Sequence, residues 1–306
     1  MKRDTFHRVW VAALAAALAA GCPDDMPPSP GSGGPESMRI LSLTPNVTEI
    51  LFAMGLGDRV VGRSNYCTVP PEALKVPAVG DTLSINLEKV ISLKPTLALV
   101  VTKRPEIATT LEGLGIPTVR LKCDTMPELM ETIQAIGRET HTGEASATLS
   151  AWIRESLEAV RRRVQGRTRP KVLVAFPMTV GSAQMMVAGR GTFIDELIGV
   201  AGGENAYPAV AEWPTVTPAK VIAMAPDVVI INAVGGDAAP DRVQAIQRAW
   251  QQWATVPAVR KARVHVLTAP FLTIPGPRVG MAAECLADLI HPDAARQEDT
   301  TRSAEP

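Results

Sequence analysis

The strongest constraint on the fold is an internal repeat. The stretch Leu87-Glu88-Lys89-Val90-Ile91-Ser92-Leu93-Lys94-Pro95-Thr96-Leu97-Ala98-Leu99-Val100 lines up with Pro218-Ala219-Lys220-Val221-Ile222-Ala223-Met224-Ala225-Pro226-Asp227-Val228-Val229-Ile230-Ile231. Lys, Val, Ile and Pro recur at one offset of 131 residues. Each copy reads as a short amphipathic helix, stopped by proline, that feeds a continuous apolar strand. A second, looser pair joins Glu49-Ile50-Leu51 through Gly55 to Glu196-Leu197-Ile198 through Gly202. Two matches in the same order predict two similar lobes, not one long sheet. The surrounding pattern agrees. Arg39-Ile40-Leu41-Ser42-Leu43 reads as a buried strand, and Thr44-Pro45 as a cap followed by proline at the first helical position. A helix from Asn46 to Met54 would stop at Gly55. Strand–helix alternation of this kind predicts an α/β fold with mostly parallel sheets flanked by helices.

Between the two copies, Glu144 to Val164 is rich in Ala, Leu, Glu and Arg. Leu149, Trp152, Ile153, Leu157, Val160 and Val164 fall at three- and four-residue spacing, which makes one apolar stripe. A helix of about 21 residues is roughly 30 Å long, near one domain diameter. It reads as a bridge between lobes; an ordinary surface helix of one lobe has the same periodicity. The expected organisation is a first lobe over 38–142, a bridging helix over 143–168, a second lobe over 169–292 and a disordered tail over 293–306.

The first residues read as an address. Lys2, Arg3 and Arg8 precede an apolar run from Val9 to Ala20, too short for a bilayer span of about 20 residues. A basic start followed by a short apolar run is a secretory signal, here over 1–21. Leu18-Ala19-Ala20-Gly21-Cys22 resembles a bacterial lipobox, which makes Cys22 the lipidation site. A plain cleaved signal with a stray cysteine is the alternative. The segment 22–37, dominated by Pro, Gly, Ser and Asp, cannot bury a core and reads as a disordered tether. Lipid on Cys22 would hold the protein at a membrane without a spanning helix.

Several function classes lose support. Lys plus Arg number 31 and Asp plus Glu 31, so the basic footprint of a nucleic-acid binder is missing. Charged residues at 20% and a mean hydropathy of +0.11 argue against both a polytopic membrane protein and global disorder. His7, His141, His265 and His291 do not fall together on predicted cleft loops, so a directly bound metal ion is not expected. No P-loop, Gly-x-Ser-x-Gly elbow or HExxH motif occurs, and Gly189-Arg190-Gly191 lacks the third glycine of a dinucleotide loop. No enzyme and no resident cofactor are expected. There is no CxxC; Cys67 and Cys123 could pair or serve as two small core hydrophobes.

Taken together, these stretches resemble the substrate-binding lipoproteins of ABC importers whose two lobes are joined by one rigid helix. That family serves uptake of vitamin B12, haem and iron siderophores. The likeness covers Met38 to about Ile290. It rests on Leu41-Ser42-Leu43-Thr44-Pro45-Asn46-Val47-Thr48-Glu49, on Val61-Gly62-Arg63-Ser64-Asn65-Tyr66-Cys67-Thr68-Val69-Pro70-Pro71, and on Asn86-Leu87-Glu88. Gly189-Arg190-Gly191-Thr192-Phe193, Ala201-Gly202-Gly203-Glu204-Asn205 and Gly276-Pro277-Arg278 complete it.

The resemblance implies a ligand cleft between the lobes and a monomer that passes its cargo to a permease and ATPase complex outside the cytoplasm. It implies cleft aromatics at Tyr66 and Trp213, with Phe176 and Phe271 as further ligand-binding candidates. Flat aromatic faces suit a broad, partly apolar metal chelate. The vitamin B12 branch looks nearest, so a corrinoid is the expected cargo. Thr82 stands where that branch often has tryptophan, which keeps haem and siderophores open, and Tyr66 would be the axial ligand for haem. The resemblance also implies one docking glutamate per lobe. Glu88 fills the first position; the second is Ala219, with Glu212 a substitute nearby. Helix capping explains Glu88 equally well. Cys285 is expected as a buried free thiol, because its partner position in the family is Ala201 here. A membrane-tethered adaptor without a small ligand is the reading from another class.

Overall fold

A computed structural model describes residues 37–293, apart from 82–83, 102–104, 178–183, 208 and 210–211. The signal, Cys22 and the tether therefore lie outside the described residues, as does Thr82. No helix among the described residues is long and apolar enough to cross a membrane.

The first lobe begins with β1 (Ile40–Ser42), α1 (Pro45–Ala53) and β2 (Val60–Arg63). It continues with α2 (Leu87–Ser92), β3 (Leu97–Val101), α3 (Pro105–Gly113), β4 (Thr118–Leu121) and α4 (Met126–Glu139). Its four strands are all parallel, in the order β2-β1-β3-β4. β1 is buried along its whole length, as expected of a strand with both faces covered by helices. Thr44 is the N-cap of α1, as its position suggests, but its hydroxyl makes no capping bond and is buried without a partner. Pro45, at the first helical position, removes one of the unpaired amide donors of the first turn.

The second lobe comprises β5 (Lys171–Pro177), β6 (Met185–Val187), α6 (Phe193–Val200), β7 (Glu204–Asn205), β8 (Thr215–Val216) and α7 (Pro218–Met224). β9 (Val228–Asn232), α8 (Pro240–Gln251), α9 (Pro257–Arg260), β10 (Val264–Leu267) and α10 (Val279–Ile290) complete it. β7, β5, β9 and β10 lie side by side and parallel, which reproduces the order of the first lobe. The repeat is thus structural. Gly55 and Gly202, at the ends of matched helices, take φ of 75° and 77°. The second lobe adds β6 and β8, antiparallel, on the carboxyl half of β5.

The bridge, α5 (Gly143–Val164), runs from α4 into β5. Leu149, Ile153, Leu157, Val160 and Val164 are buried, and Trp152 half-buried, in a core that is continuous from Ile40 and Val47 of one lobe to Val172 and Ala283 of the other. α5 packs on α4 and α10 together. A Cβ at Gly137 of α4 would lie 2.4 Å from the Ser146 hydroxyl, and one at Gly280 of α10 would lie 2.4 Å from that of Ser156. The bridge is therefore pressed against both lobes. It is not an ordinary surface helix of one.

Cys67 and Cys123 are buried thiols and make no disulfide, which removes the pairing the sequence leaves open. Burial pushes the Cys123 thiol up to about 11, so it packs as a neutral side chain. Cys285 is also a thiol, half-buried where the sequence led us to expect full burial.

Candidate functional site

The carboxyl ends of the two sheets face each other. Segments that leave β1 and β4 touch segments that follow β6 and β10. Phe193 N, at the start of α6, donates to Asp124 O, three residues beyond β4, at 2.9 Å. A Cβ at Gly276, before α10, would lie 3.6 Å from Asn46 Cα in α1. The cleft between lobes is framed by these loops, where open α/β sheets place their ligands.

Two glutamates cross that junction from matched positions. Glu49 of α1 holds Arg278, the N-cap residue of α10, by two bonds: Nε to Oε2 at 2.9 Å and Nη2 to Oε1 at 2.6 Å. The Glu49 side chain is 2% exposed and that of Arg278 16%. Burial raises the Glu49 carboxyl above its ordinary pKa; the Arg278 hydrogen bond and charge pull it back down. Glu196 of α6 accepts from Met126 N, the first residue of α4, at 3.0 Å. Each lobe thus sends the glutamate of its first helix to the last helix of the other. Sequence reasoning singles out both glutamates as repeat partners but assigns them no role; their shared reach across the chain is the signal it misses.

Tyr66 stands at the tip of the loop after β2, 66% exposed, while Cys67 beside it is fully buried. Asn65 and Tyr66 form a turn closed by Cys67 N, which donates to Ser64 O at 3.2 Å, so both turn residues project outward while Cys67 turns in. Arg63 ties the loop from inside, donating from Nε to Ala73 O and from Nη1 to Ser64 O, each at 2.9 Å. Asn65 N donates to Gly80 O at 2.7 Å, and Ser64 N to Ser42 O at 3.1 Å.

Trp213 is half-buried just before β8, and the backbone around it bonds to the β6 segment. Its indole meets Phe176 edge-on at 5.6 Å between centroids and Phe193 at 6.3 Å. Phe176 is itself only 5% exposed, so it braces Trp213 and offers the cleft little surface of its own. Phe193 is the aromatic that sequence reasoning overlooks; pairing of β5, β6 and β8 brings it there. Phe271 is half-buried in the turn after β10, under the Arg278 guanidinium at 5.9 Å. Asn232, at the end of β9, splints that turn by bonds to Ala269 O and Ala269 N at 2.9 and 3.0 Å.

The aromatics thus come from both lobes: Tyr66 from one, Trp213 and Phe271 from the other. Glu88 and Glu212 are exposed, and so is Ala219. Among the described residues, no group of three or more His, Cys, Asp or Glu is arranged to hold a metal ion. Burial and the nearby Arg263 push the His265 imidazole down to about 4, so it is a neutral wall of β10. A cavity of about 480 Å³ lined by Arg167, Arg263 and His291 lies at the amino ends of β5 and β10, away from the lobe junction.

A family model described as periplasmic binding protein matches residues 40–270. The chain belongs to that family. Membership makes this binding protein a substrate-binding component of transport, not an enzyme, and puts its work outside the cytoplasm. It is 28% identical over 268 residues to an uncharacterized ABC transporter substrate-binding lipoprotein of Bacillus subtilis, covering 86% of this chain and 82% of that one. It is 28% identical over 256 residues to a vitamin B12-binding protein of Pectobacterium atrosepticum, covering 80% and 86%. Among solved structures, the heme-binding protein RhuT of Roseiflexus in apo form superposes with a TM-score of 0.72 at 28% identity, covering 84% of this chain and 99% of that one. The vitamin B12 binding protein BtuF of Vibrio cholerae gives 0.69 at 26%, covering 82% and 96%.

Proposed function

We propose that this binding protein captures a corrinoid in the cleft between its lobes and delivers it to the permease and ATPase of an ABC importer. The observation that carries this is the pair of aromatics from opposite lobes, an outstanding Tyr66 and a braced Trp213. A tryptophan already fixed by two ring edges loses little entropy when a flat macrocycle covers it. Tyr66, Trp213 and Phe271 are the contact faces, and Phe176 acts from behind Trp213. A second reading has its own support: a phenol 66% exposed is free to ligate a metal, which suits haem.

Parallel titration with cyanocobalamin and haemin separates the two. Trp213→Ala should weaken the bound compound about tenfold to a hundredfold, the loss of a central aromatic contact. Tyr66→Phe should leave corrinoid affinity within about threefold, because the ring face remains. With haem as the cargo, the same change should abolish the shift of the main absorption band. If cyanocobalamin, haemin and a ferric siderophore all fail to bind, the adaptor reading replaces this one.

The N-terminal address makes the protein a lipid-anchored one, attached at Cys22. Cys22→Ser should move it from the membrane pellet to the soluble fraction; a variant that still pellets with membranes would refute the anchor. Docking by the glutamates is one-sided. Glu88 sits in the first turn of α2 at the cleft end of its sheet, Ala219 holds the same place on α7, and Glu212 stands nearby as the second lobe's acidic contact.

A further inference from the structure

The junction of the lobes holds a cation with a donor to spare. Arg278 gives Glu49 one edge of its guanidinium, Nε at 2.9 Å and Nη2 at 2.6 Å. Nη1 bonds to nothing among the described residues, yet it is not one of the buried side-chain atoms left without a partner, so it opens to solvent. The ring of Phe271 lies under the same guanidinium, its centroid 5.9 Å away. Phe271 sits in the turn at the carboxyl end of β10, and Glu49 in the helix that leaves the carboxyl end of β1. The open edge of Arg278 therefore lies at the floor of the cleft. With one edge held by two bonds and one face by a ring, the guanidinium loses little freedom on meeting a ligand.

A fixed donor at the floor of a cleft selects what settles on it. Both Glu49 oxygens accept N–H bonds, as an ionised carboxylate does, so the pair carries no net charge. An acceptor oxygen on Nη1 would lie about 4 Å from the guanidinium carbon and about 6 Å from the Glu49 carboxylate. Coulomb energy falls as the inverse of distance, so for a charged acceptor the repulsion from Glu49 cancels about two-thirds of the attraction to Arg278. A carboxylate must also give up far more hydration than an amide or ester carbonyl to enter the cleft. The balance favours a neutral carbonyl. Aromatic side chains cannot make this choice, because a ring face covers a flat macrocycle whatever its rim carries.

We propose that Arg278, neutralised by Glu49, selects the cargo by its rim: Nη1 donates to a neutral amide or ester carbonyl of the bound macrocycle and disfavours a carboxylate in that place. This rests on the cargo reading and narrows it. The rim of a corrinoid carries carboxamides, whereas the rim of haem carries propionates. The pair thus sides with the corrinoid.

The test is calorimetric titration of the purified protein at pH 7 with cyanocobalamin and with its monocarboxylic acids, each made by hydrolysing one rim amide. One of these acids should bind about tenfold more weakly than cyanocobalamin, a comparison that needs no variant. Glu49→Gln keeps an acceptor for Arg278 but removes the negative charge, so the same acid should recover to within about threefold of cyanocobalamin. In Glu49→Leu/Arg278→Leu, which lacks the donor, cyanocobalamin should lose about tenfold, and amide and acid should bind within about threefold of each other. A pair with a structural role alone would lower every compound together and leave the ratios unchanged. Acids that all bind as tightly as cyanocobalamin, or a ratio that survives in Glu49→Gln, would overturn the proposal and leave the corrinoid reading standing. If haemin binds in place of cyanocobalamin, the corrinoid reading fails, and haemin against its dimethyl ester decides the proposal: a tighter ester supports it, a tighter haemin overturns it. Binding of none of these compounds overturns both.

Discussion

Replacing Arg278 with alanine is expected to destabilise the protein by about 3–5 kcal/mol at neutral pH, because it strands a buried carboxylate. Glu49 has no water to turn to: its side chain is 2% exposed, and both oxygens are occupied by one guanidinium. The intact pair is a weaker source of stability than this number suggests, since desolvation offsets most of its attraction. The large effect comes from removing one member only. Glu49→Ala should therefore cost less than Arg278→Ala, because Arg278 is 16% exposed and can recover some hydration.

The pH dependence has a definite sign. Glu49 is already raised by burial and lowered by Arg278, so losing Arg278 lifts it further. A carboxyl whose folded pKa lies above its unfolded value loses stability as pH rises through the folded value. The deficit of Arg278→Ala is thus larger at pH 7 than at pH 5 and shrinks as pH falls toward the unperturbed value of 4.5. Thermal unfolding of the parent, both single variants and Glu49→Leu/Arg278→Leu at pH 7 and pH 5 checks this. The double variant should recover most of the lost melting temperature, as apolar replacements of buried pairs do. An Arg278→Ala protein within about 1 kcal/mol of the parent would show that water reaches the pair.

The pair also shows where the sequence stops being readable. The lobes are legible because helix, proline and strand follow one another within about 14 residues, and the repeat at 131 residues supplies a second copy to compare. Tyr66 and Trp213 are legible as aromatics in predicted loops. The bond from Glu49 to Arg278 spans 229 residues and depends on how two sheets face each other, which no local pattern encodes. The strands β6 and β8, three and two residues long, are too short for an alternation to register, so the aromatic stack they assemble under Trp213 is hidden with them. Thr44 illustrates the reverse limit: residue type and position predict a cap, yet the hydroxyl does not make the bond.

Gly80→Ala is expected to cost about 3 kcal/mol or more, and to weaken cargo binding with it. Gly80 has φ of 107°, a conformation that side-chain-bearing residues rarely adopt. A Cβ there would lie 2.2 Å from Ser84 O and 3.1 Å from Ile85 Cα, both backbone atoms, so no side chain can swing aside to relieve it. The backbone itself must move, and it carries the cleft loop. Gly80 O receives Asn65 N at 2.7 Å, next to Tyr66, and Val79 O receives Asn86 N at the cap of α2. One strut thus sets both the exposed Tyr66 and the start of α2. Gly113→Ala is the matched control, since nothing lies within 4 Å of a Cβ there; it should be neutral or gain up to about 1 kcal/mol as a helical alanine. Melting curves and titration with the bound compound, below the melting range of the variant, separate folding from cleft geometry. Gly80→Ala should lose about tenfold in affinity while still folded, because a displaced Tyr66 no longer meets the ligand face. Affinity equal to the parent would mean that Tyr66 is positioned by Arg63 and Cys67 alone.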